Sequence, residues 1–198
     1  MNIGLIGRAR VGKDTVGHWL CENRGYERVA FADPLKAAAL RVDPVIGYSH
    51  IGGDIRVSHV LETIGWEGIK DRYPEGRRIL QELGASIRGI DPEIWLRAGL
   101  ARTDEVNRTT GRPAVITDVR YPNEAESLRR AGFHLIYIHR PDVPELDHES
   151  EGALGTEDAD HVLINNGSVA DLHRETWLVA DRILRAESRR QENRSMSF

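Results

Sequence analysis

Two spacings of apolar residues alternate along this chain. Short apolar runs rich in β-branched residues occur at Ile3–Ile6, Arg28–Ala32, Ala114–Asp118, His134–His139 and Val162–Asn165. Runs of four to six such residues are too short for helices and are predicted as strands. Between them the apolar positions recur every three to four residues. One helix is predicted from just after Gly12 to about Asn23, stopping near Gly25, and another from Asp33 to about Leu40. Segments 57–65 and 76–89 have the same spacing. Asp91 as a cap with Pro92 at the first helical position predicts a helix over 91–102. Pro122 near the start and Gly132 past the end bracket another. A last helix is predicted to open at Ser168 and run past Ile183, with Leu172, Val179, Ala180 and Ile183 on one face.

Short strands alternating with helices predict an α/β fold, a mostly parallel five-stranded sheet flanked by helices. A single domain over residues 1–190 is expected. Within it, 33–111 reads as a helical insertion that contributes no strand. The acidic, turn-rich stretch 140–160 reads as a lid-like loop, since loops of that length are usually covers or mobile segments. Residues 191–198, at the end of the polar run "ESRRQENRSMSF", are expected to form a flexible tail.

Composition narrows the function classes. The 198 residues carry a net charge of −4 with both signs mixed, which argues against nucleic-acid and membrane-surface partners. Cys21 is the single cysteine, so neither an intrachain disulfide nor a cysteine zinc site is expected, and a reducing, cytoplasmic setting fits. The first residues enter strand-like sequence at once, so no secretory leader is expected. No apolar run approaches the roughly 20 residues of a membrane span.

The chemistry concentrates in "GRARVGKDT", Gly7 to Thr15, behind the first predicted strand. Gly7, four residues, Gly12 and Lys13 complete the G-x-x-x-x-G-K spacing between a strand and a helix, the context a phosphate-binding loop requires. Its amides would form an anion nest at a helix N-terminus, and Lys13 would reach the β- and γ-phosphates. The position after the lysine, usually a hydroxyl residue that meets Mg²⁺, is Asp14, with Thr15 following. A carboxylate is a hard-oxygen ligand suited to Mg²⁺. Whether Asp14 or Thr15 meets the metal stays open at this point. Arg8 and Arg10 would offset the added negative charge. A second carboxylate is expected at a neighbouring strand end, and Asp118 stands there, with Arg120 two residues on. Asp33 and Lys36 follow the second strand and are candidates for substrate contact. Arg140 ends the fourth strand, where it could close on phosphates. Asn166 and Gly167 leave the last strand and could hold an adenine edge.

These residues together resemble the phage-type deoxynucleoside monophosphate kinases, a branch of the P-loop nucleoside monophosphate kinases. The resemblance rests on "GKDT", "FADPLK" (31–36), "ILQELGASIRGIDPEIWL" (79–96), "DVRYPNEAE" (118–126), "HESE" (148–151) and "INNGSVADL" (164–172). It implies the P-loop kinase fold with a substrate-binding insertion and a lid, and γ-phosphoryl transfer from ATP with Mg²⁺ to a deoxynucleoside monophosphate. It implies catalytic roles for Lys13, Arg120 and Arg140, and acceptor contacts from Asp33, Lys36, Arg88, Trp95 and Arg120. The metal would fall to Asp14 and Asp118, and the ATP to Gly7, Arg8, Arg10, Gly12, Lys13, Asp14, Thr15, Asn166 and Gly167. His148, Glu149 and Glu151 match a family motif without a derivable role. A small-molecule partner, a homodimer and, for a phage-encoded protein, the host cytoplasm fit the resemblance. Two alternatives remain at this level: a P-loop kinase acting on dephospho-coenzyme A or a sugar acid, and a non-catalytic ATP-binding module.

Overall fold

The structure is a computed structural model that describes residues 1–143 and 152–195. In chain order its elements are β1 (Ile3–Ile6), α1 (Lys13–Arg24), β2 (Glu27–Val29), α2 (Ala32–Val42), β3 (Val45–Tyr48), β4 (Asp54–Arg56), α3 (Val57–Arg72), α4 (Pro74–Ile90), α5 (Ile94–Thr110), β5 (Ala114–Val119), α6 (Pro122–Arg130), β6 (His134–His139), β7 (His161–Ile164) and α7 (Val169–Ser195). They fall into two units, residues 1–30 with 102–198, and residues 31–101.

The first unit is built on a five-stranded sheet in the order β2-β5-β1-β6-β7, with every neighbouring pair parallel. Parallel neighbours need crossovers, and a sheet covered on both faces needs strands that are apolar throughout. All four residues of β1, the central strand, are accordingly buried. Ile3 and Leu5 enter a core with Val16 and Leu20 of α1 and Leu172, Val179, Ala180 and Ile183 of α7. The four α7 residues therefore share the face that the sequence spacing predicts. Pro122 opens α6 and Gly132, at φ 79°, follows it, as expected.

The second unit holds α2, α3, α4, the start of α5 and an antiparallel hairpin of β3 and β4. Ile46, Val57 and Ile69 form its buried cluster. The chain crosses between β3 and β4 through a turn in which the Gly52 N–H donates to the Ser49 carbonyl. Within α3, Gly65 takes φ 64° and ψ 179° and breaks the helix.

Four expectations need correction. Segment 33–111 does contain strands: β3 and β4 were hidden because each has only three or four residues, glycine interrupts the first, and the fully apolar Ile51 sits exposed at the tip. β2 is shorter than 28–32, because Ala32 already starts α2. The helix expected over 91–102 starts at Ile94. Asp91 instead closes α4, its N–H bonding the Ile87 carbonyl, and its side chain accepts the Glu93 N–H in a turn. Of the expected tail, 191–195 continue α7, since arginine, glutamate and glutamine propagate a helix already anchored by its apolar face and Arg190 pairs with Glu187 one turn back, while 196–198 lie outside the described residues. The far end of the lid-like stretch is part of the sheet unit. Leu154 is buried, Arg129 donates to the Asp158 carbonyl, and the Asp160 carboxylate accepts the Leu135 N–H.

Candidate functional site

The glycine loop occupies the C-terminal edge of the sheet because of strand register. Ile6 lies opposite Val119 of β5 and opposite Tyr137 of β6. One residue on, Gly7 runs against Ile138 of β6. The passage is tight: a Cβ on Gly7, whose φ is 142°, would come 2.6 Å from the Ile138 carbonyl oxygen. Arg10 and Gly12 also take positive φ, 65° and 105°. Gly12 is the N-cap of α1, and no side chain supplies a capping hydrogen bond there. The first N–H groups of a helix lack partners within the helix, and together with the helix dipole they make a helix N-terminus a favourable place for an anion.

Lys13, the first residue of α1, is buried to 8% exposure. Its ammonium group arches back and donates to the carbonyls of Gly7 and Arg8, each at 2.6 Å. The cation is thereby held inside the loop. Arg8 is half-buried and Arg10 exposed on the loop's outer half.

Asp14 is exposed in the first turn of α1, and Thr15 beside it is half-buried. Helix α1 meets β5 closely at Gly17, where a Cβ would lie 2.6 Å from the Thr117 methyl. Asp14 lies nearly one turn ahead of Gly17 on α1, and Asp118 follows Thr117 in β5. Two carboxylates and a hydroxyl are hard-oxygen donors of the type Mg²⁺ takes, the rest of its octahedron coming from phosphates and water. Among the described residues no group of three or more His, Cys, Asp or Glu side chains could form an all-protein cage.

Arg120 is half-buried just beyond β5, Arg140 is exposed just beyond β6, and Asn166 and Gly167 are exposed beyond β7. All five parallel strands end at this edge, so the structure brings these residues to the margin that carries the loop.

The remaining candidates belong to the 31–101 unit. Asp33 and Lys36 are half-buried on α2, and Arg88 is half-buried near the end of α4. Lys36 contributes to a basic patch with Lys70 and Arg77 around Glu67. Burial works to raise the Glu67 carboxyl, but the hydrogen bond from Lys70 and these charges outweigh it and hold it below the usual range. Trp95 is buried, and its indole N–H donates to the Gly84 carbonyl at 3.3 Å. Trp95 therefore packs inside the 31–101 unit with its polar edge satisfied. His148, Glu149 and Glu151 lie outside the described residues.

Two residues of the sheet edge escape the sequence reading. Glu124, 1% exposed, accepts the N–H groups of Arg120 and Tyr121 at 2.9 and 3.1 Å and so fixes the turn that carries Arg120. Its signal was the capping spacing of Tyr121 to Glu124. Asn165, 5% exposed, donates from Nδ2 to the Val11 carbonyl at 2.9 Å. In β7 Val162 and Ile164 face outward while Leu163 is buried. That alternation puts Asn165 on the inward side, and a polar residue inside a core needs a partner.

Comparison with known proteins adds a second line. Residues 55–176 match the family described as deoxynucleotide monophosphate kinase. That span excludes the glycine loop, so the family match and the loop geometry rest on different residues. A protein of Acanthamoeba polyphaga mimivirus named "Putative deoxynucleotide monophosphate kinase" is 27% identical over 186 residues, covering 86% of this chain and 91% of that protein. The ORF77 protein of Ictalurid herpesvirus 1 (strain Auburn) is 30% identical over 129 residues, 62% of this chain and 57% of that protein. Among solved structures, dephospho-CoA kinase from Campylobacter jejuni is 15% identical with a TM-score of 0.49, covering 94% of this chain and 98% of that one. Shikimate kinase from Aquifex aeolicus is 14% identical with a TM-score of 0.47, covering 93% and 98%. Likeness at that distance has no bearing on substrate.

Proposed function

Because the chain belongs to the deoxynucleotide monophosphate kinase family, and is thus a phosphotransferase, we propose that it transfers the γ-phosphoryl group of ATP to a deoxynucleoside monophosphate, giving the diphosphate and ADP. The observation that carries this reading is the glycine loop at the edge of the parallel sheet, with uncapped α1 amides and the Lys13 ammonium held inside it.

The acceptor is a phosphate oxygen with a second pKa near 6, largely deprotonated at neutral pH, so no general base is required. The work left to the protein is to bring two polyanions in line and to balance charge on the transferring group. In this reading the amides of Gly12 and the first turn of α1 bind the ATP phosphates. Lys13 exchanges its bonds to the Gly7 and Arg8 carbonyls for the β- and γ-phosphate oxygens. Arg120 and Arg140 offer cations at the strand ends, and Arg8 and Arg10 sit on the loop's outer half. Asp14 and Asp118 would hold Mg²⁺, with Thr15 beside them. The metal, when bound, would neutralise charge on the phosphate oxygens. Asn166 and Gly167 are assigned to the nucleoside end of ATP. Asp33, Lys36 and Arg88 are assigned to the acceptor.

The test is release of ADP, by a coupled assay, with each deoxynucleoside and ribonucleoside monophosphate in turn, and with dephospho-coenzyme A, shikimate and gluconate beside them. Turnover with at least one deoxynucleoside monophosphate, lost in Lys13→Ala, is expected. Turnover only with one of the other acceptors would replace the proposed substrate. ATP binding without turnover on any acceptor would make the chain a binding module.

A further inference from the structure

Asn165 holds the glycine loop from behind. Val11 is 2% exposed and packs in the core with Leu163 and Leu172, so the loop is anchored there by its apolar side. The same residue is anchored by its polar side, since its carbonyl accepts the buried Asn165 amide at 2.9 Å. Asn165 is itself fixed, because its backbone N–H donates to the His139 carbonyl of β6 at 2.7 Å. It also lies against Gly12, where a Cβ would approach Nδ2 to 2.9 Å.

Peptide geometry gives this contact a consequence. The described chain has no cis peptide bond. In a planar trans peptide the C=O and the following N–H point in opposite directions. Turning the Val11 carbonyl toward Asn165 therefore turns the Gly12 N–H away from it. Gly12 caps α1, so its amide leads the row of uncapped N–H groups that the helix presents. We propose that Asn165 is a positioning residue for phosphoryl transfer: its amide sets the Val11–Gly12 peptide so that the Gly12 N–H faces the bound triphosphate. The proposal rests on the reading of the loop as a triphosphate site and adds to it a residue that touches neither substrate.

The position is demanding. A side chain at residue 12 would press on Asn165, since a Cβ there would come 2.9 Å from Nδ2. A carboxylate in place of the Asn165 amide would put an acceptor against the Val11 carbonyl instead of a donor. A buried carbonyl that loses its donor also loses the hydrogen bond without water to replace it.

The experiment compares the wild type with Asn165→Ala and Asn165→Asp. It measures the Kd of Mg-free ADP by calorimetry, KM for ATP and for the acceptor, kcat, and amide exchange over residues 8–15. Both variants are expected to bind ADP about tenfold more weakly, with faster exchange at Gly12 and acceptor KM within about twofold of the wild type. Asn165→Asp supplies the discriminating readout. Protonation turns its carboxyl back into a donor, so the ratio of its Kd to that of the wild type should fall as pH drops from 8 to 5.5. A loss of packing alone would leave that ratio flat. Should Asn165→Ala fail to fold, Asn165→Asp decides through the ratio together with Gly12 exchange measured without ADP, which repulsion between its carboxylate and the diphosphate would leave unchanged. Variants that bind ADP within twofold of the wild type, or a ratio unchanged with pH, would overturn the assignment while leaving the triphosphate site standing. A wild type that binds no ADP would take both down.

Discussion

At the scale of single residues, the loop separates two charges that the sequence places side by side. Lys13 is buried and gripped by two carbonyls, while its neighbour Asp14 is exposed at the start of the helix. In the proposed reading the triphosphate supplies the anion that a buried ammonium group calls for. Lys13→Ala is therefore expected to abolish measurable transfer and nucleotide binding together. Asp14→Ala should leave ATP binding in place, slow transfer by orders of magnitude, and move the Mg²⁺ titration to higher concentration. An Asp14→Ala enzyme with ordinary rate and an unchanged Mg²⁺ titration would reduce the carboxylate to a charge that favours the helix terminus. The place of the glycine loop between β1 and α1, and of Asp118 near the end of β5, was legible because each has a fixed sequence offset from a strand end. The burial of Trp95 was not legible, because a tryptophan among apolar residues looks the same in sequence whether it is buried or exposed; its indole bond to Gly84, eleven residues away, appears only in three dimensions.

At the scale of elements, the long helices and buried strands were legible and the weak ones were not. β1 and β6 match their expected limits because both are runs of apolar residues ended by a turn or a charge. The β3–β4 hairpin lacks that signature and is held by the tertiary cluster of Ile46, Val57 and Ile69. The last helix shows how a start can be written into sequence. The Ser168 hydroxyl accepts the Asp171 N–H at 3.2 Å, and the Asp171 carboxylate accepts the Ser168 N–H and hydroxyl at 3.0 and 2.7 Å. This reciprocal cap is the reason Val169 begins α7. Ser168→Ala should cost about 1 kcal/mol in urea unfolding. The cap also sets a pH dependence. The bonds from the Ser168 hydroxyl and N–H hold the Asp171 carboxyl below its usual range. A carboxyl with a lowered folded pKa contributes stability that is fully present above the unfolded value, about 3.9, and is lost as pH falls through the folded value. The difference in thermal midpoint between wild type and Asp171→Asn should thus be constant at neutral pH and shrink below about pH 4. A difference that does not change on acidification would show that Asp171 lends the helix no charge-dependent support.

At the scale of the whole chain, the two units are unequally built. Of the twelve largest fully buried side chains among the described residues, eleven belong to the sheet unit and only Ile69 to the 31–101 unit. A segment of about seventy residues with so small a core sits near the lower limit for independent stability. The broken α3 at Gly65 points the same way. Amides of α3 and α4 are therefore expected to exchange through partial opening, at lower free energy than those of β1, β5 and β6. This inequality makes the division of substrates testable without any activity. A ligand stabilises the unit that binds it, by about 2.7 kcal/mol at a hundred times its Kd. A non-hydrolysable ATP analogue alone should slow exchange in β1, α1 and the turn after β5, where the loop, Asp118 and Glu124 lie. A deoxynucleoside monophosphate should add protection in α2 and α4, around Lys36 and Arg88. If the analogue alone protected α4 fully, and the acceptor added nothing there, the acceptor-side residues would have to be sought outside the 31–101 unit.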